Sequence, residues 1–108
     1  MNRFGLVGIS HRRASVGEIG RVSQALNVKH LKTDLGLCEL LCLSTCNRIE
    51  FYWSSSTGRL AEDVLSDLGQ ALFSDEQDDL AMFRSVAYSL RGEAVIKHLF
   101  SVLPGLDS

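Results

Sequence analysis

The sequence predicts an α+β domain, a sheet with helices packed on it, and three observations predict it. The apolar run Leu40-Leu41-Cys42-Leu43 and the alternating run Ile49-Glu50-Phe51-Tyr52-Trp53 read as two neighbouring strands, one buried and one half-buried. Leu60, Val64, Leu68 and Leu72 then recur at helical spacing. Along the whole chain a strand–helix–strand unit occurs twice, the order of a split βαβ sandwich.

Taken in order, Phe4 to Ile9 is a first strand whose glycines, Gly5 and Gly8, suit close approach by a neighbour. Ser10-His11-Arg12-Arg13 leaves it as a polar loop. Ser15 caps a helix through Val22, and a second helical piece covers Ser23 to Leu35, stopped by Gly36. Strands Cys38–Ser44 and Asn47–Trp53 form a hairpin. Ser56 or Thr57 caps the helix that carries Leu60 to Leu72, with Leu65, Ala61 and Ala71 joining its apolar face. Ser74 to Asp79 is an acidic loop, Met82–Tyr88 a fourth strand, and Ala94 to Val102 a last helix closed near Pro104-Gly105. The result is βαββαβ, ferredoxin-like, with an added C-terminal helix.

At 108 residues the chain is one domain with a single core. No apolar run approaches the roughly 20 residues that cross a bilayer, and the N-terminus lacks the pattern of a secretory signal. Three cysteines, an odd number, argue for a reducing compartment, so the cytoplasm is expected. The net charge of −2 hides an asymmetry: basic residues dominate up to Arg59 and acids after it. The first half suits transient docking of a polyanion such as RNA; uneven solvated charge explains the same pattern.

Cys46 falls in the bend between the hairpin strands, beside Thr45, Asn47 and Arg48. Hydrogen-bond donors and a fixed positive charge favour a thiolate, which is the nucleophilic form. On spacing alone, a packing cysteine next to a polar turn is the more economical reading. Cys38 and Cys42, each four residues from the next cysteine, lack a Cys-x-x-Cys partner and read as core residues, not zinc ligands. His98 on the last helix is either satisfied by a backbone carbonyl or a proton carrier facing Cys46. His11 carries the same ambiguity, and His30, between lysines, reads as exposed. Neither Gly-x-Gly-x-x-Gly after a strand nor a P-loop is present, so no nucleotide cradle is visible.

Three segments together resemble the N-terminal catalytic domain of the glutamyl-tRNA reductase family. They are Gly8-Ile9-Ser10-His11-Arg12-Arg13-Ala14, Leu43 through Glu50, and Gly92-Glu93-Ala94-Val95 through His98-Leu99-Phe100 to Ser108. The resemblance implies that Cys46 attacks the ester joining glutamate to tRNA, giving a thioester that NADPH reduces to glutamate 1-semialdehyde for tetrapyrrole (porphyrin, 5-aminolevulinate) synthesis. It implies Arg48 as clamp for the substrate carboxylate and Thr45, Asn47 and Ser108 as polar contacts. His98 would assist proton transfer, and Ser10 and His11 would line the pocket. Two departures stand out. The family usually reads Asn-His-Lys-Thr/Ser-Ala-Pro followed by Arg-Glu. Here Ser10 replaces the asparagine, Arg13 the small hydroxyl residue and Ser15 the proline, and Ile19-Gly20 stand at the Arg-Glu pair.

Residues 1–108 are thus expected to be a single catalytic domain, without the family's spine helix, NADPH-binding domain and dimerisation domain. No cofactor is expected on this chain, since NADPH is bound elsewhere in the family. The implied partners are glutamyl-tRNA as substrate and glutamate 1-semialdehyde aminomutase downstream, with no membrane. The full-length family is homodimeric, and this chain alone is expected to be a monomer acting as an acyl-transfer enzyme or slow esterase. The competing reading is a non-catalytic module that binds tRNA or a partner. An unrelated cysteine hydrolase would use the same residues but leave the other matched segments unexplained.

Overall fold

A computed structural model describes residues 3–26 and 28–102. Nine elements follow one another: β1 (Arg3–Ser10), α1 (Val16–Ala25), α2 (Val28–Asp34), β2 (Glu39–Ser44), β3 (Arg48–Ser55), α3 (Ala61–Leu72), α4 (Gln77–Val86), β4 (Tyr88–Arg91) and α5 (Glu93–Val102). The sheet runs β2-β3-β1-β4 with every pair antiparallel. β1 and β3 are therefore central, as the duplicated split βαβ arrangement requires, and each crossover carries two helices where the sequence suggests one or a broken one.

Alternation along the strands sorts residues to two faces. Val7 and Ile9 of β1 and Ile49, Phe51 and Trp53 of β3 join Ile19, Val22, Val64, Leu68 and Phe83 in the main core. Leu6 points the other way yet is also completely buried, on the face where α5 packs against β4 and His98 bonds Glu50. Burial of side chains such as Phe51, Phe83 and Leu68 stabilises the fold by about 1.5–3 kcal/mol each.

Local signals explain the element ends. Ser15 accepts from the Glu18 amide at 3.1 Å while the Glu18 carboxylate accepts from the Ser15 amide at 2.8 Å, a reciprocal capping box. α2 stops at Gly36, whose φ of +64° suits a residue without Cβ; the Leu37 amide reaches back to the Lys32 carbonyl at 3.1 Å.

Four expectations are corrected. Met82–Tyr88 is not a strand: Met82 to Val86 finish α4, and the fourth strand begins at Tyr88. Leu80, Phe83 and Ala87, at helical spacing, are the buried residues, and Leu80 and Phe83 seat against Gly69 of α3. The break between the first two helices falls after Ala25, with Leu26 extended, not between Val22 and Ser23. Leu60 rather than Ser56 or Thr57 precedes α3, with no side-chain cap; the Ser55 and Thr57 hydroxyls bond each other at 2.9 Å and tie the loop instead. Cys38, just before β2, is exposed although its amide donates to the Ser54 carbonyl of β3 at 2.9 Å, whereas Cys42, opposite Phe51, is half-buried against the core. The closure expected near Pro104-Gly105 lies outside the described residues.

Candidate functional site

The tight connection between β2 and β3 builds the first part of the site. The Thr45 amide donates to the Arg48 carbonyl at 2.8 Å, and the Thr45 hydroxyl oxygen accepts from the amides of Asn47 at 3.1 Å and Arg48 at 3.2 Å. Thr45 thus spends its side chain on the bend itself, holding Cys46 exposed at the tip. Among the described residues no hydrogen bond reaches the Cys46 sulfur. The His11 amide donates to the Asn47 carbonyl at 2.8 Å, which fastens the exit of β1 to this bend.

Beside the bend, on the α5 side of the sheet, lies a cleft of about 720 Å³ whose walls include Ser10, Arg12, Arg13, Arg48, Tyr88 and His98. Register explains the gathering: Ser10 pairs with Arg48, while Gly8 lies between Glu50 of β3 and Tyr88 of β4. A Cβ on Gly8 would stand 2.9 Å from the Tyr88 ring and 3.1 Å from Glu50 Cγ, so only glycine leaves room for both.

Glu50 is the centre of this face. It is completely buried, with Tyr52 donating to Oε1 at 3.0 Å and Tyr88 donating to Oε2 at 2.5 Å. His98 of α5 bonds the same Oε2 through Nε2, and the Arg48 guanidinium stands 3.7 Å away. A buried carboxylate is tolerated only when its lone pairs are met in this way. The Tyr88 and His98 rings also lean on each other, with centroids 5.9 Å apart. Burial, followed by the charge and hydrogen bond of Glu50, raises the Tyr52 hydroxyl well above its ordinary range. Tyr88 is raised likewise, by burial first and then by its bond to Glu50. Burial alone pushes the Cys42 thiol up to about 11.

Of the residues singled out in the sequence, Ser10, Arg48 and His98 meet in the cleft. Thr45, Cys46 and Asn47 form the exposed bend next to it, His11 is exposed at the end of β1, and Ser108 lies outside the described residues. His98 is bonded to Glu50, a carboxylate that neither of the two roles considered for it involved. Sequence reasoning passed over Glu50, Tyr52, Tyr88 and Arg12. The available signal was an acid flanked by Ile49 and Phe51 in the middle of a strand. Among the described residues no three His, Cys, Asp or Glu side chains come together as a metal site, and no helix is long and apolar enough to cross a membrane.

The family described as "Glutamyl-tRNAGlu reductase, N-terminal domain" matches residues 7–108. A glutamyl-tRNA reductase of Desulfovibrio desulfuricans is 36% identical over 107 residues, covering 95% of this chain and 24% of that protein. The structure of glutamyl-tRNA reductase from Methanopyrus kandleri superposes with a TM-score of 0.64 at 29% identity, covering 97% of this chain and 23% of that one. The chain spans about a quarter of the length of these relatives. The match takes in the bend, the cleft and the helix that closes it, so by sequence and by fold the chain belongs to the family of glutamyl-tRNA reductase N-terminal domains.

Proposed function

We propose that this domain carries the acyl-transfer half of glutamyl-tRNA reduction, with Cys46 as nucleophile. The observation that carries the reading is the placement of an exposed thiol on a rigid bend beside a cleft lined by Arg48 and His98. The Cys46 sulfur attacks the ester carbonyl between glutamate and the tRNA ribose. A carbon–sulfur bond forms, the carbon–oxygen ester bond breaks, and the proton lost by the thiol is returned to the departing ribose oxygen. Arg48 suits the side-chain carboxylate of glutamate, because its fork bonds two oxygens at once. Its separation of 3.7 Å from Glu50 is longer than a hydrogen bond, which leaves its N–H donors for a ligand. Arg12 and Arg13 add positive charge on the same side, favourable for an RNA phosphate.

Reduction of the thioester in the family uses NADPH. The described residues do not fit that group: every strand pair is antiparallel, and no glycine-rich turn joins a parallel strand to a helix. No step through NADPH is therefore derived from them. A thioester left without reductant would hydrolyse, so slow release of glutamate is expected.

The test is incubation with glutamyl-tRNA followed by mass spectrometry of the Cys46 peptide. A glutamyl adduct absent from Cys46→Ser supports the reading; a folded protein with no adduct overturns it. A second reading, a non-catalytic tRNA-binding module, is favoured by two observations: His98 is engaged with Glu50, and no hydrogen bond reaches the Cys46 sulfur among the described residues. RNA binding without any adduct would select it.

A further inference from the structure

We propose that Glu50 is a positioning residue that fixes the tautomer of His98, so that Nδ1 is the ring nitrogen left to exchange a proton in the cleft. This deepens the functional reading and rests on it for the substrate, though not for the geometry. An ionised carboxylate only accepts, so the imidazole Nε2 that meets Glu50 Oε2 must carry the hydrogen. In neutral His98 the lone pair then sits on Nδ1, which has no hydrogen-bond partner among the described residues. The same logic makes second-sphere carboxylates set histidine tautomers at metal and catalytic centres.

Three features distinguish this from a mere fastening of α5 to the sheet. Glu50 is completely buried and its oxygens are already taken by the Tyr52 and Tyr88 hydroxyls, so it acts through His98 and not on a ligand. Tyr88 both donates to Glu50 and stacks obliquely on the His98 ring, which limits ring rotation. Arg48 faces the same carboxylate from the cleft wall at 3.7 Å, so one buried carboxylate lies against both the guanidinium and the imidazole. The positions come from β3, β4 and α5, and the Glu50–His98 contact spans 48 residues of chain.

The experiment is nitrogen-15 NMR of the imidazole in the intact chain, comparing wild type with Glu50→Gln, which keeps the shape and removes the charge. Wild type should show neutral His98 protonated on Nε2. Glu50→Gln should show a mixture of tautomers and a glutamyl-adduct rate lower by about 10–100-fold, with alkylation of Cys46 by iodoacetamide unchanged. An Nδ1-protonated His98 in wild type, or an unchanged tautomer in a folded Glu50→Gln, overturns the proposal. If Glu50→Gln does not fold, the wild-type spectrum together with Tyr52→Phe decides: removal of that hydroxyl should leave the Nε2–H form, and a tautomer that switches overturns the proposal. Failure of the acyl-transfer reading looks different, since no adduct would form in any variant while the tautomer result stood.

Discussion

Gly8→Ala should dismantle the buried carboxylate cluster while leaving the opposite face of the sheet intact. The added Cβ would lie 2.9 Å from both Cζ and the hydroxyl oxygen of Tyr88 and 3.1 Å from Glu50 Cγ. The tyrosine tip is the movable partner, so the ring swings away and its 2.5 Å bond to Glu50 is lost. Losing a hydrogen bond to a charged group costs about 1.5–3 kcal/mol, and residual crowding adds to it, giving about 2–4 kcal/mol together. With an unfolding entropy of about 2.1 cal/mol/K per residue, a chain of 108 residues should melt about 9–18 °C lower. Calorimetry measures the melting shift, and absorbance at the tyrosinate band reports the mechanism. The chain has two tyrosines, and both donate to Glu50. Tyr88 should ionise nearer the ordinary tyrosine range in the variant while Tyr52 stays raised. A melting point within about 2 °C of wild type, with both tyrosines still resistant to ionisation, would refute the reasoning.

Three further outcomes follow from the same geometry. Because both tyrosines are raised in the folded state, they favour folding below the unfolded value of about 10 and that contribution fades as pH climbs above it. Urea midpoints should therefore fall with rising pH in the alkaline range, and fall less in Tyr52→Phe/Tyr88→Phe. Cys42, its thiol pushed up to about 11, should be the slowest cysteine to react with iodoacetamide near neutral pH, behind exposed Cys38 and Cys46; peptide mapping at successive times orders them. Ser15→Ala removes the hydroxyl that accepts from the Glu18 amide, one half of the capping box, and leaves the backbone amide that donates to the Glu18 carboxylate; it should cost about 1 kcal/mol, read as a lower urea midpoint at unchanged slope.

Where local chemistry decides, the sequence is readable. Ser15 stands where a helix cap belongs, Gly36 sits where a helix needs a left-handed residue, and the alternation through Ile49, Phe51 and Trp53 names the core face of β3. The hairpin that sets Cys46 at a bend is legible for the same reason, whereas Arg48 and His98 are singled out by resemblance and not by local chemistry. Met82 to Val86 misled because a short apolar run fits either period, and only packing of Phe83 on Gly69 selects the helix. Glu50 was invisible as a hub for a deeper reason. In a hairpin its alternation with Ile49 and Phe51 reads as a solvent-facing position. What makes that face an interior is the pairing of β1 with both β3 and β4 and the return of α5, none of which lies within reach of a local window.

β1 has been thinned from both sides. Gly5 yields to the Trp53 indole on the main-core face, where a Cβ would come within 2.4 Å of that ring, and Gly8 yields to Tyr88 on the α5 face. Intrinsic preference for an extended conformation is weakest at such positions, by roughly 0.5–1 kcal/mol apiece. Yet this strand sits at the middle of the sheet, hydrogen-bonded along both flanks. Its order is therefore borrowed from neighbours that follow it in the chain, β3 from the middle and β4 from the carboxy-terminal third, so both flanks of the amino-terminal strand are expected to set only once β4 has docked. The amides of β1 should exchange with solvent by global opening alone.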